Sequence, residues 1–382
     1  MPSSHPSSRR KPASVFFRVD CSPVTGSGHI ERCLALAARF HHYHAQISFI
    51  SAEPLPQHIH DDHPNYYFYS FANDDHLYGS PVEPTVVTTD DGPWLAHDHF
   101  RSFSQSCDAG FSRSIIEKGV CDILVVDHYG LDARWQEKLR DCVGTLVIID
   151  DLADRHHSCD FLVDQSRPAH KEADYTPLLA PSSIRLIGPD YAMLRPEFNI
   201  SPDERNIRTG IDNLLVFFGS VDADNFTAVT LNVLAETAWR NKNITIVIGA
   251  QNPHAACVSA LAASMNAKVI VQTKQMGALM MAADLAIGAA GSASWERAAT
   301  GLPSLVVSVA SNQDAVLDTL VSHGVAIPLS AKKDEYAAGL ANAIVDLENS
   351  TDIITTMSQK SYEVCDGMGI ERIVIQTMKT CI

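Results

Sequence analysis

Short apolar runs rich in Val, Ile and Leu recur at residues 15–19, 47–50, 123–126 and 146–149, each followed by a helical pattern. A run without polar alternation is a strand covered on both faces, and strands separated by helices pair in parallel through crossovers. The same rhythm restarts at 214–218 and continues through 244–248, 269–271, 285–287 and 304–307. Between the two series, residues 199–212 are polar and carry Pro202 and Gly210. The expectation is an α/β chain of two Rossmann-like domains facing a cleft. The first spans 14–200, residues 201–212 form a linker, and the second spans 213–382. Residues 1–13, mostly Ser, Pro, Lys and Arg, read as a disordered tail without the apolar core of a signal peptide.

Ligands of such sheets lie beyond the carboxyl ends of the strands, and two glycine turns fall there. Gly-Ser-Gly-His-Ile-Glu-Arg-Cys, residues 26–33, follows the first run and opens a helix. Gly26 and Gly28 permit a tight turn and close approach, and the free N–H groups of the helix favour an anion. Ile30, Cys33, Leu34 and Ala37 recur at helical spacing toward the sheet, which leaves His29 and Arg32 at the mouth, neither required for packing. Glu31 stands where a dinucleotide fingerprint has its third glycine, and the Lys of a P-loop is missing. Taken alone, the turn is either a phosphate pocket or a tight corner with an exposed histidine.

The second turn lies in Ala-Asp-Leu-Ala-Ile-Gly-Ala-Ala-Gly-Ser-Ala-Ser-Trp-Glu-Arg, residues 283–297, before the strand pattern Gly-Leu-Pro-Ser-Leu-Val-Val at 301–307. Gly288 and Gly291 again open a helix toward an anion, with Ser292 a natural N-cap. Three residues beyond Ser292 stands Trp295, so Glu296 is not the partner of a capping box. Its carboxylate either favours the helix dipole or accepts hydrogen bonds from the two hydroxyls of a ribose.

Five segments, in this order, resemble one enzyme family, the UDP-2,4-diacetamido-2,4,6-trideoxy-β-L-altropyranose hydrolases of pseudaminic acid biosynthesis. They are residues 26–33; Val-Asp-His-Tyr-Gly-Leu-Asp, 126–132; Ile-Asp-Asp-Leu-Ala-Asp-Arg, 149–155; Gly-Pro-Asp-Tyr-Ala-Met-Leu-Arg-Pro-Glu-Phe, 188–198; and Gly-Ser-Ala-Ser-Trp-Glu-Arg, 291–297. The resemblance implies a glycosyltransferase-B-like fold that binds a UDP-sugar, with water in place of a sugar acceptor. The products would be UDP and 2,4-diacetamido-2,4,6-trideoxy-L-altrose, with no cofactor. It further implies that His29 is the base for water and that Gly291, Ser292, Ser294 and Glu296 hold UDP. Gly219 and Gly249, which close two further strands, are placed with the substrate-binding positions. The chain departs from the family at Ser220 in Phe-Gly-Ser-Val-Asp, where a glycine is usual, and at Ala290 and Ala293. The spacing from His29 to Tyr129, 129 − 29 = 100 positions, is long for the family and points to an insertion near 54–111.

Around those positions the residues leave alternatives open. A helix N-terminus disfavours the imidazolium, so His29 is either a neutral base for water or a cation on a phosphate oxygen. Asp127, His128 and Tyr129 end a strand; Tyr129 either positions the sugar or packs in the core, and it cannot share a strand face with His128. Either Asp150 or Asp151 orients the sugar, or both cap the following loop. Asn312 and Gln313 suit amide and hydroxyl recognition, although Asn312 could equally start a helix as its N-cap. Asp222-Ala-Asp224 resembles the metal-holding Asp-x-Asp of other sugar-nucleotide enzymes, but such pairs are common by chance, and the His-rich groups at 58–63 and 97–99 lack the spacing of a metal site.

Composition sets the outer limits. The 382 residues, 46% hydrophobic and 19% charged, suit two ordinary cores. A formal net charge of −16 argues against nonspecific nucleic-acid binding, and an anionic substrate must be attracted by local groups. Nine cysteines without a Cys-x-x-Cys pair fit a reducing cytoplasm. No run has the length of a membrane span, and no obligate protein partner is evident. The leading expectation is a cytoplasmic UDP-sugar hydrolase; the alternatives are a glycosyltransferase using a UDP-N-acetyl sugar and a catalytically dead UDP-sugar-binding protein.

Overall fold

A computed structural model describes residues 11–21, 28–71, 97, 101–265, 267–350 and 352–381. The chain divides into two compact units. Unit 1 holds seven strands: β1 (Ser14–Val19), β2 (Gln46–Ser51), β3 (Tyr67–Ser70), β4 (Cys121–Asp127), β5 (Val143–Ile149), β6 (Phe161–Asp164) and β7 (Ile184–Ile187). Their order is β3-β2-β1-β4-β5-β6-β7. Every pairing from β3 through β6 is parallel. The central strands are buried almost end to end, the consequence of helical cover on both faces.

Unit 2 holds β8 (Asn213–Phe217), β9 (Asn243–Ile248), β10 (Lys268–Val271), β11 (Leu285–Ala289), β12 (Ser304–Val307) and β13 (Ala326–Leu329). They are ordered β10-β9-β8-β11-β12-β13 and parallel throughout. In each sheet the order reverses once, at β1/β4 in unit 1 and at β8/β11 in unit 2. At such a reversal the connecting loops leave in opposite directions and open a crevice at the carboxyl ends of the strands. His29 follows β1 and Asp127 ends β4, while Gly219 follows β8 and Gly291 follows β11.

The division corrects the expected boundaries. Residues 165–172 and 187–200 belong to unit 2, and 370–382 belong to unit 1 rather than to the second domain. The C-terminal segment is held there by Glu371, which pairs with Arg39 and accepts the Tyr43 hydroxyl at 2.7 Å, and by Thr380 Oγ1, 2.6 Å from Thr145 Oγ1. Residues 201–212 are not a free linker either. Arg208 is 2% exposed and donates to the carbonyls of Met280 (3.1 Å), Ala283 (3.2 Å) and Thr300. These carbonyls close the helices Met276–Ala282 and Ala293–Ala299, whose last turns need donors from outside. The ends of the expected insertion at 54–111 are built into unit 1: β3 extends the sheet, and the helix Gln105–Ile116 buries Phe111 and Ile115. Residues 72–96 and 98–100, like the first ten of the expected tail, lie outside the described residues.

The carboxyl end of β9 abuts the loop after β8 so closely that a Cβ on Gly249 would stand 2.0 Å from the carbonyl oxygen of Ser220. Backbone cannot yield as a side-chain tip can. Gly249→Ala is therefore expected to destabilise the protein by about 1–3 kcal/mol in urea unfolding. Gly210→Ala, which meets nothing within 4 Å, serves as the control and should stay within about 0.5 kcal/mol of wild type.

Candidate functional site

The register of unit 1 sets Val19 beside Asp127, so the end of β4 meets the start of the helix Gly28–His42 that follows β1. His29 Nδ1 lies 2.6 Å from Asp127 Oδ1. One turn later Arg32 grips the same carboxylate twice, Nε to Oδ2 at 2.6 Å and Nη2 to Oδ1 at 2.7 Å, and reaches Asp151 Oδ2 through Nη1 at 2.7 Å. Tyr129 donates its hydroxyl to Asp151 Oδ2 at 3.0 Å and sets its ring edge-on to His29, with centroids 4.6 Å apart.

Burial pushes the Asp127 carboxyl up, but Arg32 and then His29 outweigh it and hold the group well below the usual carboxylate range. An ionised carboxylate only accepts, so Nδ1 of His29 is the donor, although Arg32 Nη2 also stands 3.2 Å away. In the neutral ring the lone pair then resides on Nε2. A histidine oriented by a buried carboxylate, with the opposite nitrogen left basic, is the arrangement of a general base.

These contacts revise two expectations. Arg32 does not stand idle at a mouth: it is 9% exposed and ties Asp127 to Asp151. The Asp127 side chain is fully buried, so it is a positioning group for His29 rather than a substrate contact. His128 and Tyr129 diverge as strand alternation requires. His128 is buried with Nε2 3.0 Å from Asp20 Oδ2 in a separate cluster that includes Arg18 and Asp108. Asp150 is likewise structural, bound by Arg155 at 2.8 Å and by the Tyr175 hydroxyl at 3.1 Å, and it accepts the N–H of Ala153 in the following loop. Gly26 lies outside the described residues, and a Cβ on Gly28 would meet nothing within 4 Å.

In unit 2 a Cβ on Gly288 would stand 2.1 Å from the Phe217 carbonyl oxygen, so only glycine lets β11 and β8 close there. Gly291 is open, its nearest neighbour being Gln313 Nε2 at 3.8 Å from the same imagined Cβ. Gln313 is fixed by accepting the Val309 N–H at 3.1 Å. Ser292 occupies the N-cap position but makes no capping bond, because its backbone is already helical (φ −54°, ψ −31°). Ser294 is buried and its hydroxyl accepts from Arg297 at 2.8 Å, which ties it to the inner side of the turn. Burial pushes the Glu296 carboxyl up and Arg195, 3.5 Å away, opposes that. Asn312 is exposed in the turn Ser311–Gln313, and the next helix takes Gln313 as its cap, so Asn312 is not an N-cap.

Gly219 adopts φ +97°, a glycine conformation, directly after β8. Asp222 caps the helix Phe226–Ala235 by accepting the N–H groups of Phe226 and Thr227 at 2.9 and 3.0 Å. Among the described residues no group of three or more His, Cys, Asp or Glu side chains is placed to hold a metal, and no helix is long and apolar enough to cross a membrane. Arg195 and Arg297 lie inside the family-like segments 188–198 and 291–297, but nothing local in the sequence separates them from ordinary surface arginines.

The chain has a glycosyltransferase-B-like fold of two Rossmann-like units, and residues 213–371 match the profile of the glycosyltransferase family 28 C-terminal domain. Among solved structures, MurG of Acinetobacter baumannii superposes with a TM-score of 0.64 at 16% identity, over 96% of this chain and 100% of that one. CalG4, the calicheamicin glycosyltransferase, superposes with a TM-score of 0.62 at 13% identity, over 97% and 98%. By sequence the chain is 28% identical over 188 residues to the spore coat polysaccharide biosynthesis protein SpsG of Bacillus subtilis, covering 49% of this chain and 56% of that relative. It is 23% identical over 241 residues to the UDP-2,4-diacetamido-2,4,6-trideoxy-beta-L-altropyranose hydrolase of Campylobacter jejuni, covering 63% and 71%.

The buried charges give the two units opposite responses to acid. Burial raises the carboxyls of Asp20, Asp127 and Asp150 in unit 1, but Arg18, Arg32 and Arg155 respectively lead the groups that hold all three below the usual range. Their contribution is complete above the unfolded value of about 3.9 and is lost as pH falls through the folded values. Glu296 in unit 2 is shifted upward, so its protonation relieves that unit instead. Protection factors from hydrogen exchange should fall in β1 and β4 below about pH 4 before they fall in β8 and β11. Simultaneous loss would contradict this assignment.

Proposed function

We propose that the chain acts on a nucleotide sugar, as a hydrolase of a UDP-linked diacetamido sugar. The observation that carries this reading is the His29–Asp127 pair, a base with its tautomer fixed by a buried carboxylate at the reversal of the unit 1 sheet. The likeness to the Campylobacter hydrolase supports the substrate class. In this reading Nε2 of His29 takes a proton from water, the water oxygen bonds to the anomeric carbon, and the bond from that carbon to the diphosphate breaks. UDP leaves with the bonding pair, and the free sugar is the second product. Gly291 and Ser292 border the diphosphate, Glu296 accepts the ribose hydroxyls, and Asn312 and Gln313 meet the sugar amides. Tyr129 and Asp151 keep the histidine ring and Arg32 in place. A sugar acceptor in place of water would make the same site a glycosyltransferase, which the family 28 match to residues 213–371 favours.

Proton NMR of the enzyme with UDP-2,4-diacetamido-2,4,6-trideoxy-β-L-altropyranose and no acceptor is expected to show UDP and free sugar accumulating together. His29→Ala should slow turnover by about 10²–10⁴-fold, the usual worth of a general base. Asp127→Asn should lower kcat with KM little changed, since Asp127 orients the base without touching substrate. Turnover that appears only when an acceptor sugar is added would establish the transferase reading; binding without turnover under either condition would remove both.

A further inference from the structure

Arg297 is 2% exposed, yet the roles above give it no task. Its Nη2 donates to the Ala289 carbonyl at 2.9 Å and to the Ser294 hydroxyl at 2.8 Å. Nη1 lies 3.0 Å from where a Cβ on Gly288 would stand, and Nε has no hydrogen-bond partner. The guanidinium thus sits beneath the turn that joins β11 to the helix Ala293–Ala299 and holds both ends of that turn.

What sets Arg297 apart is its charge balance. Arg18, Arg32 and Arg155 are also buried, and each meets two carboxylates. Arg208, which meets none, is spent on carbonyls at helix C-termini, where the partial charge is negative. Arg297 makes no ion pair with any described residue, and it reaches back to the amide end of its own helix, where the partial charge is positive. Burial draws its guanidinium down to about 10, with only Glu296 opposing. A buried cation beside a second positive feature is retained at a cost in stability. An anion arriving at the turn would offset that cost.

We propose that Arg297 is the buried counter-charge for the diphosphate of a nucleoside diphosphate seated at the Gly288–Ser292 turn, and the residue that positions that turn. The inference rests on the nucleotide reading above and adds to it the group that discriminates by charge. Arg297 does not touch the ligand; it acts through its field and through the Ala289 carbonyl and Ser294 hydroxyl that it fixes. Little of the ligand's affinity for this turn then needs an exposed basic side chain, in keeping with a chain of net charge −16.

Calorimetric titration of UDP, UMP and uridine into wild type, Arg297→Met, Arg297→Gln and Arg297→Lys separates charge from scaffolding. Wild type is expected to bind UDP more tightly than UMP, and UMP more tightly than uridine. In both neutral variants UDP should weaken by about tenfold or more while uridine changes by less than about twofold, and Lys should restore most of the loss. The Gln variant keeps a donor for Ala289 and Ser294, so it carries the test if the Met variant does not fold. An unchanged ratio of UDP to uridine affinity in the neutral variants overturns the inference and leaves the nucleotide reading standing, as does equal weakening of all three ligands. A wild-type protein that binds none of them removes both.

Discussion

A parallel sheet covered on both faces leaves polar side chains almost no room along its strands, and the chemistry of this chain is governed by that constraint. β1, β4 and β5 are buried to their last residues, so their polar groups gather where the strands stop. In unit 1 the first such group is Asp127. Its carboxylate is out of water, which is tolerable only because Arg32 and His29 converge on it. Once Arg32 is spent there, it also brings in Asp151, and Asp151 brings in Tyr129. A single buried charge thereby fixes four other side chains, one of which retains a basic nitrogen.

Unit 2 uses the same kind of sheet differently. At its β8/β11 reversal the close approaches are backbone against backbone, at Gly249 on Ser220 and Gly288 on Phe217. The buried charge beneath the turn is an arginine without a carboxylate. The charges of unit 1 thus meet one another directly around its site, whereas the guanidinium beneath the turn of unit 2 is held by a carbonyl and a hydroxyl. In the proposed function the first suits proton transfer from a neutral nucleophile and the second suits an anionic leaving group.

Much of the architecture was legible in the sequence, because every strand that was read, from 15–19 to 304–307, is an apolar run with at most one polar residue. Four short strands escaped notice, at Tyr67–Ser70, Phe161–Asp164, Ile184–Ile187 and Ala326–Leu329, each of four residues and each carrying a Ser, Asp, Arg or Pro. Residues 201–212 read as a linker because they are polar, but polarity does not distinguish a solvated segment from one whose arginine caps two helix ends. The C-terminal boundary failed for a similar reason: the helix Gly369–Met378 is amphipathic, and nothing local says which sheet covers its apolar face.

The sequence by itself determined the α/β class, the two glycine turns and the presence of His29, Glu296 and the Asp127–Tyr129 and Asp150–Asp151 pairs at strand ends, since period and turn chemistry are local properties. Only the tertiary structure decided which of those residues meet. His29 and Asp127 are 98 positions apart, Arg32 and Asp151 are 119 apart, and Glu296 is 101 from Arg195. Strand order and register create these contacts. They make Asp127 an orienting group, turn Ser294 inward and leave Arg297 buried without a counter-ion, because the partner of a buried charge is set by topology and not by its neighbours in the chain.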